Sequence, residues 1–596
     1  MITLSQEQQA FIGEAQQGNN VLVDACIGSG KTTAIQNLCN VLKDKTILYL
    51  TYNKLLKLDA KDKIKNKNVT VTNYHGFAYS ELIKISVRVA QSELIQKFKA
   101  NKDKLRMKHY DVLIIDEYQD IEQEIADMLE IIKANNSGIQ IIVVGDMEQK
   151  IYDKTTLDVQ QFIKQFLEDY KQIYFTQCFR LSSDLASRLG SIWHKKIVGV
   201  NSNCVVEYMG KDDAVDFLAQ QDCSDILCLG SRTGDMSRVL NILERDNPSK
   251  FNKHTVYASI QDNDSGGSAN PNRDCAIFTT YDSSKGLERK ICVVFDWTEH
   301  YWGIRINIPG VKYEILRNIF CVAASRGKER VIFVDSKDNM LSDATLTRAV
   351  STRTDYKKPF TVSDMFSFKF KENVEECYNM LRIKKIDLGD DSVIKVKSND
   401  CLIDLSPCIG ILQEEVFFKN YSIDDEISWF KESHDNKLGL DYKETEEVEK
   451  KVLYLTACET TQNRYYRQVK VPFVKKETLD EIIARLSTKF TGDEKVQKDC
   501  HLKFEIAGKN STIEINGRVD VLKNNTVYEL KFVSELSHEN FLQCAVYVAM
   551  LGLDKGILWN TRNNEMYEIE IPDKEAFLKC VIKTITKGNV VDGEFV

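Results

Sequence analysis

Val21-Leu22-Val23-Asp24-Ala25-Cys26-Ile27-Gly28-Ser29-Gly30-Lys31-Thr32-Thr33 runs from an apolar stretch, through small residues, into a helical pattern. A strand, a loop of small residues and a helix in that order let backbone N–H groups close around phosphate at a helix N-terminus. Gly28, Ser29, Gly30 and Thr33 would form the cradle, Lys31 would reach the β- and γ-phosphates, and the Thr32 hydroxyl would hold Mg²⁺. ATP with Mg²⁺ is the implied ligand. The strict phosphate-loop pattern has glycine where Ala25 stands, and the plain alternative is a glycine-rich turn.

Working outward, Thr46 to Leu50, Val112 to Ile115 and Ile141 to Val144 are further apolar runs separated by helical patterns. That alternation predicts a parallel sheet with crossover helices. Val112 to Ile115 ends in Asp116-Glu117, read as adjacent acids at the exposed end of a strand. Asp116 would hold Mg²⁺ and Glu117 would activate water. Val143-Val144-Gly145-Asp146 is followed by Gln149, placed to sense the γ-phosphate. A second set, Ile226 to Leu229, Cys275 to Thr279, Ile291 to Phe295 and Val331 to Val334, predicts a second α/β lobe.

These residues resemble superfamily 1A helicases, the UvrD/Rep/PcrA group, in order over residues 4–335. Leu4-Ser5-Gln6-Glu7-Gln8 is similar to the family's Q motif, which implies Gln8 as the adenine reader; Ala25 is the family's own form of the loop. Leu50-Thr51-Tyr52-Asn53-Lys54 and Thr72-Asn73-Tyr74-His75-Gly76-Phe77 resemble its two single-strand-contacting motifs, which implies DNA contacts at Tyr52, Asn53, His75 and Phe77. Asp116-Glu117-Tyr118-Gln119-Asp120 and Gly145 to Tyr152 resemble its acidic and glutamine-sensor motifs. Cys178-Phe179-Arg180-Leu181 implies Phe179 stacked on adenine and Arg180 on the γ-phosphate. Ser284-Lys285-Gly286-Leu287-Glu288 implies Glu288 on the ribose, and Val322 to Gly327 implies Arg326 as an arginine finger. The resemblance implies ATP-driven 3′-to-5′ movement on single-stranded DNA. It departs where Asp153-Lys154-Thr155 replace an aromatic that stacks on DNA, where Asp282 replaces histidine, and in its short insertions.

Near the C-terminal end, Gly517-Arg518-Val519-Asp520, a turn at Lys523-Asn524-Asn525, and Val527-Tyr528-Glu529-Leu530-Lys531 read as a hairpin. Glu529 and Lys531 alternate onto one face, and Asp520 can reach it from the partner strand. Two carboxylates can hold Mg²⁺ or Mn²⁺ and a lysine can orient the attacking water, as metal-aided phosphodiester cleavage requires. A surface hairpin with alternating charge is the competing reading. Gln543 and Tyr547, four apart on the next helix, complete an order that resembles the RecB-type branch of the PD-(D/E)XK nucleases. That branch has an upstream G-x-x-x-H, and Gly410 to Glu414 keeps its spacing. Glu414 is therefore carried as a metal ligand, with His501 and Glu505 as rivals. Only Cys580 follows Cys544, so no iron–sulfur cluster is expected.

The expected architecture is α/β: a first RecA-like lobe over 1–175 with an insertion at about 78–105, a second over 176–350, a linker over 351–395, and a nuclease domain over 396–596. The net charge of −8 disfavours nucleic acid as a whole, but Lys54 to Lys67 carries six lysines against two aspartates, and local patches matter more than totals. No apolar stretch reaches the roughly 20 residues of a membrane span, and neither a signal-peptide pattern nor a C-x-x-C pair is present, so the expected location is cytoplasmic. The expected partners are DNA, with a single-stranded region, and a protein partner subunit, in DNA repair or in defence against phage. A DNA-binding NTPase remodeler or regulatory scaffold, with a C-terminal clamp that does not cut, is the alternative.

Overall fold

A strand buried on both faces packs best in a parallel sheet whose crossovers are helices, and the first half of the chain follows that rule twice. The computed structural model describes residues 3–52, 54–87, 94–231, 234–259, 274–336, 339–353, 355–363, 365–366, 371–396, 403–433, 442–460, 463–508 and 511–596. Its first sheet runs, edge to edge, Val69–Asn73, Ile47–Thr51, Val112–Asp116, Gln140–Gly145, Val21–Ala25 and Lys171–Phe175. All neighbours are parallel, so the loops after Ala25, Asp116 and Gly145 emerge at one edge. The second sheet, also parallel, runs Val256–Ser259, Ala276–Thr280, Ile226–Gly230, Arg289–Val294, Gly327–Val334 and Val205–Met209. Among the described residues no helix is long and apolar enough to cross a membrane.

The third body is a mixed sheet. Its order is Arg382–Ile386, Glu565–Glu570, Lys555–Asn560, Thr526–Lys531, Thr512–Lys523, Lys495–Ile506 and Gly593–Phe595, with Phe360–Thr361 added beside Thr512–Lys523. Helices Lys371–Tyr378, His538–Met550 and Lys574–Ile585 share one core with it, around Phe504, Ile515, Leu542 and Phe577. Helices Ser406–Phe417, Val448–Thr460 and Lys476–Ser487 share a second core, around Leu412, Leu455, Leu486 and Trp559. The turn Asn524-Asn525 takes left-handed backbone at both residues, as a two-residue hairpin loop requires.

The linker expected over 351–395 is overturned. Tyr356, Val362, Met365, Phe366, Val374 and Cys377 are buried in the third body's core, Phe360–Thr361 pairs with Ile515-Asn516, and Arg382–Ile386 forms the sheet's edge. The segment looked like a tether because its apolar residues are sparse and follow no single period, yet most of them pack singly, Tyr356 to Cys377 into the first core and Ile386, Leu388 and Ile394 into the second.

That difference is measurable. Phe366→Ala is expected to lower the stability of the third body by about 3–5 kcal/mol, the usual cost of truncating a core Phe, read from its denaturant unfolding midpoint. A loss within about 0.5 kcal/mol, as at an ordinary surface position, would restore the tether.

Candidate functional site

The loop after Val21–Ala25 leads into helix Lys31–Val41 through two residues with positive φ, Gly28 at 67° and Gly30 at 76°. Space demands glycine there as well. A Cβ on Gly28 would lie 2.8 Å from the Arg180 Cβ, and one on Gly30 would lie 2.9 Å from Gln8 Nε2. Ser29 Oγ is buried without a hydrogen-bond partner among the described residues. Gly28 to Thr33, Glu117 and Gln149 of the first lobe and Phe179, Arg180, Lys285 to Arg289 and Arg326 of the second line one cleft of about 580 Å³.

The two acids expected at an exposed strand end are buried and partnered instead. Asp116 accepts from Tyr49 Oη at 2.7 Å, and Glu117 takes Lys31 Nζ at 2.5 Å and the Gln119 amide. Burial and the neighbouring Glu117 charge push Asp116 up to about 6. Burial pushes Glu117 the same way, but Lys31 and Lys285 outweigh it and bring it down to about 2. Glu117 has a left-handed backbone, φ 55°, which turns its carboxylate back toward Lys31. Gln149 Nε2 donates to Asp146 at 2.9 Å. Gln8 stands beside the loop, its amide donating to Ser29 O at 3.0 Å and accepting from Ser5 N at 3.1 Å. It therefore braces the loop, and its second N–H and second lone pair remain for a base.

Across the cleft, Phe179 is 43% exposed, and a Cβ on Gly30 would lie 3.6 Å from its ring, so an aromatic face is open beside the loop. Arg180 is paired with Glu288, which also takes Lys328 at 2.6 Å. Arg326 is buried, its Nε donating to Val322 O at 2.9 Å. Burial and the nearby Arg180 charge lower it to about 10.

Two lysines of the second lobe enter the first, in roles the motifs do not announce. Lys285 Nζ meets Asp120 at 2.5 Å and Gln149 O at 3.0 Å. Lys195 Nζ meets Asp24 at 2.6 Å, Asp146 at 2.6 Å and Glu148 at 3.0 Å. Those three carboxylates bring oxygens within 4.8 Å of one another, close enough for a metal ion, and the cation among them is an ammonium.

The residues implied as DNA contacts divide. Tyr52 lines a second cleft of about 730 Å³ between the lobes, together with Tyr152, Lys154, Ser283, Arg305, Lys312 and Lys587. His75 is half-buried at the start of helix Tyr74–Lys84, and Asn53 lies outside the described residues. Phe77 is a correction. It is 1% exposed and packs against Phe98 and Tyr110, because its helical position faces the core, so it offers no face to a base. Asp153, standing in the aromatic's place, is buried between Lys312 at 3.0 Å and Lys587 at 3.1 Å.

In the third body Glu529 is fully buried on strand Thr526–Lys531, with Lys531 Nζ on its Oε1 at 2.8 Å. Its Oε2 has no hydrogen-bond partner among the described residues. Asp520 accepts from Leu530 N at 2.8 Å. Glu414, on helix Ser406–Phe417, feels the charges of Asp520, Glu529 and Lys531, which brings it to the same site. Burial and the Asp520 charge push Glu529 up to about 8 and Glu414 well above the usual carboxylate range. Its donors are all oxygens, the kind that Mg²⁺ or Mn²⁺ takes, and one carboxylate oxygen is orphaned among the described residues, though the three acids are not drawn within 4.8 Å of one another as Asp24, Asp146 and Glu148 are. The Tyr547 hydroxyl bonds Gln543 and faces Glu529, and its ring leaves no room for a side chain on Gly517. His501 and Glu505 are exposed on strand Lys495–Ile506, away from these groups. Gln497, which sequence reasoning missed, donates to Glu414 at 2.6 Å.

Residues 8–155 match the family model described as an AAA domain. The chain is 29% identical over 116 residues to an ATP-dependent helicase/nuclease subunit of Lactococcus lactis subsp. lactis (strain IL1403), and 28% identical over 116 residues to the exonuclease/helicase subunit RexA of Lactococcus lactis subsp. cremoris (strain MG1363). Each match covers 20% of this chain and 9% of the relative, so the chain spans under a tenth of these curated relatives' length. Among solved structures, Bacteroides sp Pif1 in complex with ADP-AlF4 shares 14% identity, with 58% of this chain and 94% of that chain covered at a TM-score of 0.32.

Lys195→Ala would leave Asp146 buried, and Asp24 and Glu148 half-buried, without their shared cation. It is expected to lower stability by about 3–5 kcal/mol, the range for breaking a buried pair, measured by denaturant unfolding of the whole chain. A loss below about 1 kcal/mol, the range of exposed pairs, would mean that the three acids have another partner.

Proposed function

We propose that this chain is an ATP-driven translocase on single-stranded DNA, moving and unwinding in the 3′-to-5′ direction, with a Mg²⁺- or Mn²⁺-dependent deoxyribonuclease built onto its motor. The observation that carries the motor reading is the cleft lined by both lobes. Its cations are parked on its own carboxylates, Lys31 on Glu117 and Arg180 on Glu288. ATP phosphates entering the cleft compete for both cations. Lys31 transferred to phosphate leaves Glu117 to accept a proton from the attacking water. Arg180 and Arg326, from the opposite lobe, reach the γ-phosphate only when the lobes close, which ties hydrolysis to movement. The second inter-lobe cleft, with Tyr52, Tyr152, Lys154 and Arg305 on its walls, offers aromatic faces and cations to a single strand. Similarity to helicase/nuclease subunits over 116 residues supports the same reading.

For cleavage, Asp520, Glu529 and Glu414 would hold the divalent ion, which when bound polarises the phosphodiester and lowers the pKa of water. Lys531, tethered to Glu529, orients the attacking water. Gln543 and Tyr547 flank the approach from helix His538–Met550.

The decisive comparison is wild type, Lys31→Ala and Lys531→Ala on end-labelled single-stranded, duplex and forked DNA, with and without ATP, in Mg²⁺ or Mn²⁺. Lys31→Ala is expected to abolish ATP turnover while sparing ATP-independent cutting of single strands. Lys531→Ala is expected to abolish cutting while sparing DNA-stimulated turnover. ATPase activity indifferent to single-stranded DNA would favour a regulatory scaffold, and cutting unchanged by Asp520→Ala would leave the third body a clamp. Arg326→Ala is expected to slow hydrolysis by about 10³-fold or more; a loss under roughly tenfold, far below what arginine fingers supply, would remove it from the reaction.

A further inference from the structure

Strand residues two apart share a face of the sheet, and that rule breaks beside the nuclease site. Val519 packs into the core around helix His538–Met550, whereas Val521 packs into the core under the helices that carry Glu414. On the neighbouring strand Cys500 belongs to the first of these cores and Val496 packs against the second. The ladder pairs Val496 with Val521 and Lys498 with Val519, which sets Gln497 across from Asp520 at the point where the alternation changes phase. Gln497 has φ 50°, left-handed backbone that costs energy for any residue with a Cβ. Such irregularities next to active sites re-aim side chains. Here the side chain is an amide whose Nε2 donates to Glu414 Oε2 at 2.6 Å.

We infer that Gln497 is a positioning residue of the third-body metal centre, its amide fixing the Glu414 carboxylate as a ligand beside Asp520 and Glu529. Glu414 comes from a helix of one core, and Asp520 and Glu529 come from strands on the seam between the two cores. Three carboxylates repel one another in a buried site, and nothing in the helix alone holds Glu414 toward the other two. A donor amide does so without adding charge. It takes up one carboxylate oxygen and orients the other, as partners of metal ligands commonly do. A glutamine at a position where glycine would sit without strain is accounted for by that bond.

The inference rests on the nuclease reading, and titration of Mn²⁺ into the full 596-residue chain, followed calorimetrically, separates the two. Binding lost in Asp520→Ala defines the third-body site; if wild type and Asp520→Ala bind alike, the nuclease reading falls and the role of Gln497 with it. Gln497→Gly keeps the backbone and relieves its strain, so its melting temperature is expected to equal or exceed that of wild type. Its Asp520-dependent Mn²⁺ affinity is expected to fall about 10- to 100-fold, the range for removing a partner of a metal ligand. Gln497→Leu, which keeps bulk without the amide, is expected to match that loss. Wild-type Mn²⁺ affinity in Gln497→Gly would overturn the positioning role while leaving the nuclease reading intact.

Discussion

Lys195 Nζ lies 2.6 Å from Asp24, 2.6 Å from Asp146 and 3.0 Å from Glu148, and the joining of the two lobes follows from that contact. Parallel strands all end at one edge, so the first sheet necessarily gathers its polar C-terminal residues there. Gathered acids repel, and burying them without a counter-charge is costly. Lys31 serves Glu117, while Asp24, Asp146, Glu148 and Asp120 depend on Lys195 and Lys285 from the second lobe. The lobes are therefore held together at the same edge that carries the proposed phosphate and metal site. Because Asp146 also holds the Gln149 amide, the contact between lobes and the orientation of Gln149 are one network.

The third body is attached by the same chemistry. Asp153 of the first lobe is shared by Lys312 of the second and Lys587 of the third, and Thr155 donates to Glu372 at 2.6 Å. Arg464 of the third body reaches Val256 O at 2.9 Å and Glu244 at 3.3 Å in the second lobe. A carboxylate held by ammonium groups from two other bodies is sensitive to the position of both. Its place on the wall of the inter-lobe cleft links that sensitivity to whatever occupies the cleft.

At the C-terminal site the organising constraint is a boundary between two hydrophobic cores. One core lies under helices Lys371–Tyr378, His538–Met550 and Lys574–Ile585, the other under the helices between residues 406 and 487. A carboxylate such as Glu529, with an oxygen left unpartnered in a fully buried position, is tolerable only where the surroundings can supply a cation. Lys531 pairs with Glu529, and the protons that burial holds on Glu529 and Glu414 are what a divalent ion would displace.

The sequence by itself determined the glycine-bearing loop before helix Lys31–Val41, the four central strands of each parallel sheet but not their edge strands, the hairpin carrying Asp520, Glu529 and Lys531, and the helix carrying Gln543 and Tyr547. Each of those features is local: a period of two or of 3.6, or a run of small residues before a helix. Only the tertiary structure decided the partners. Asp116 and Glu117 read as exposed acids because their spacing cannot show Tyr49 and Lys31 arriving from other elements. Phe77 read as a DNA contact because its motif does not say which side of the helix faces the core. Residues 351–395 read as a tether because a segment that contributes single side chains to a distant core has no period to detect. Lys195 and Gln497 carried no signal at all, since their roles are long-range: one joins charges of two lobes, and the other turns a strand at the seam between two cores.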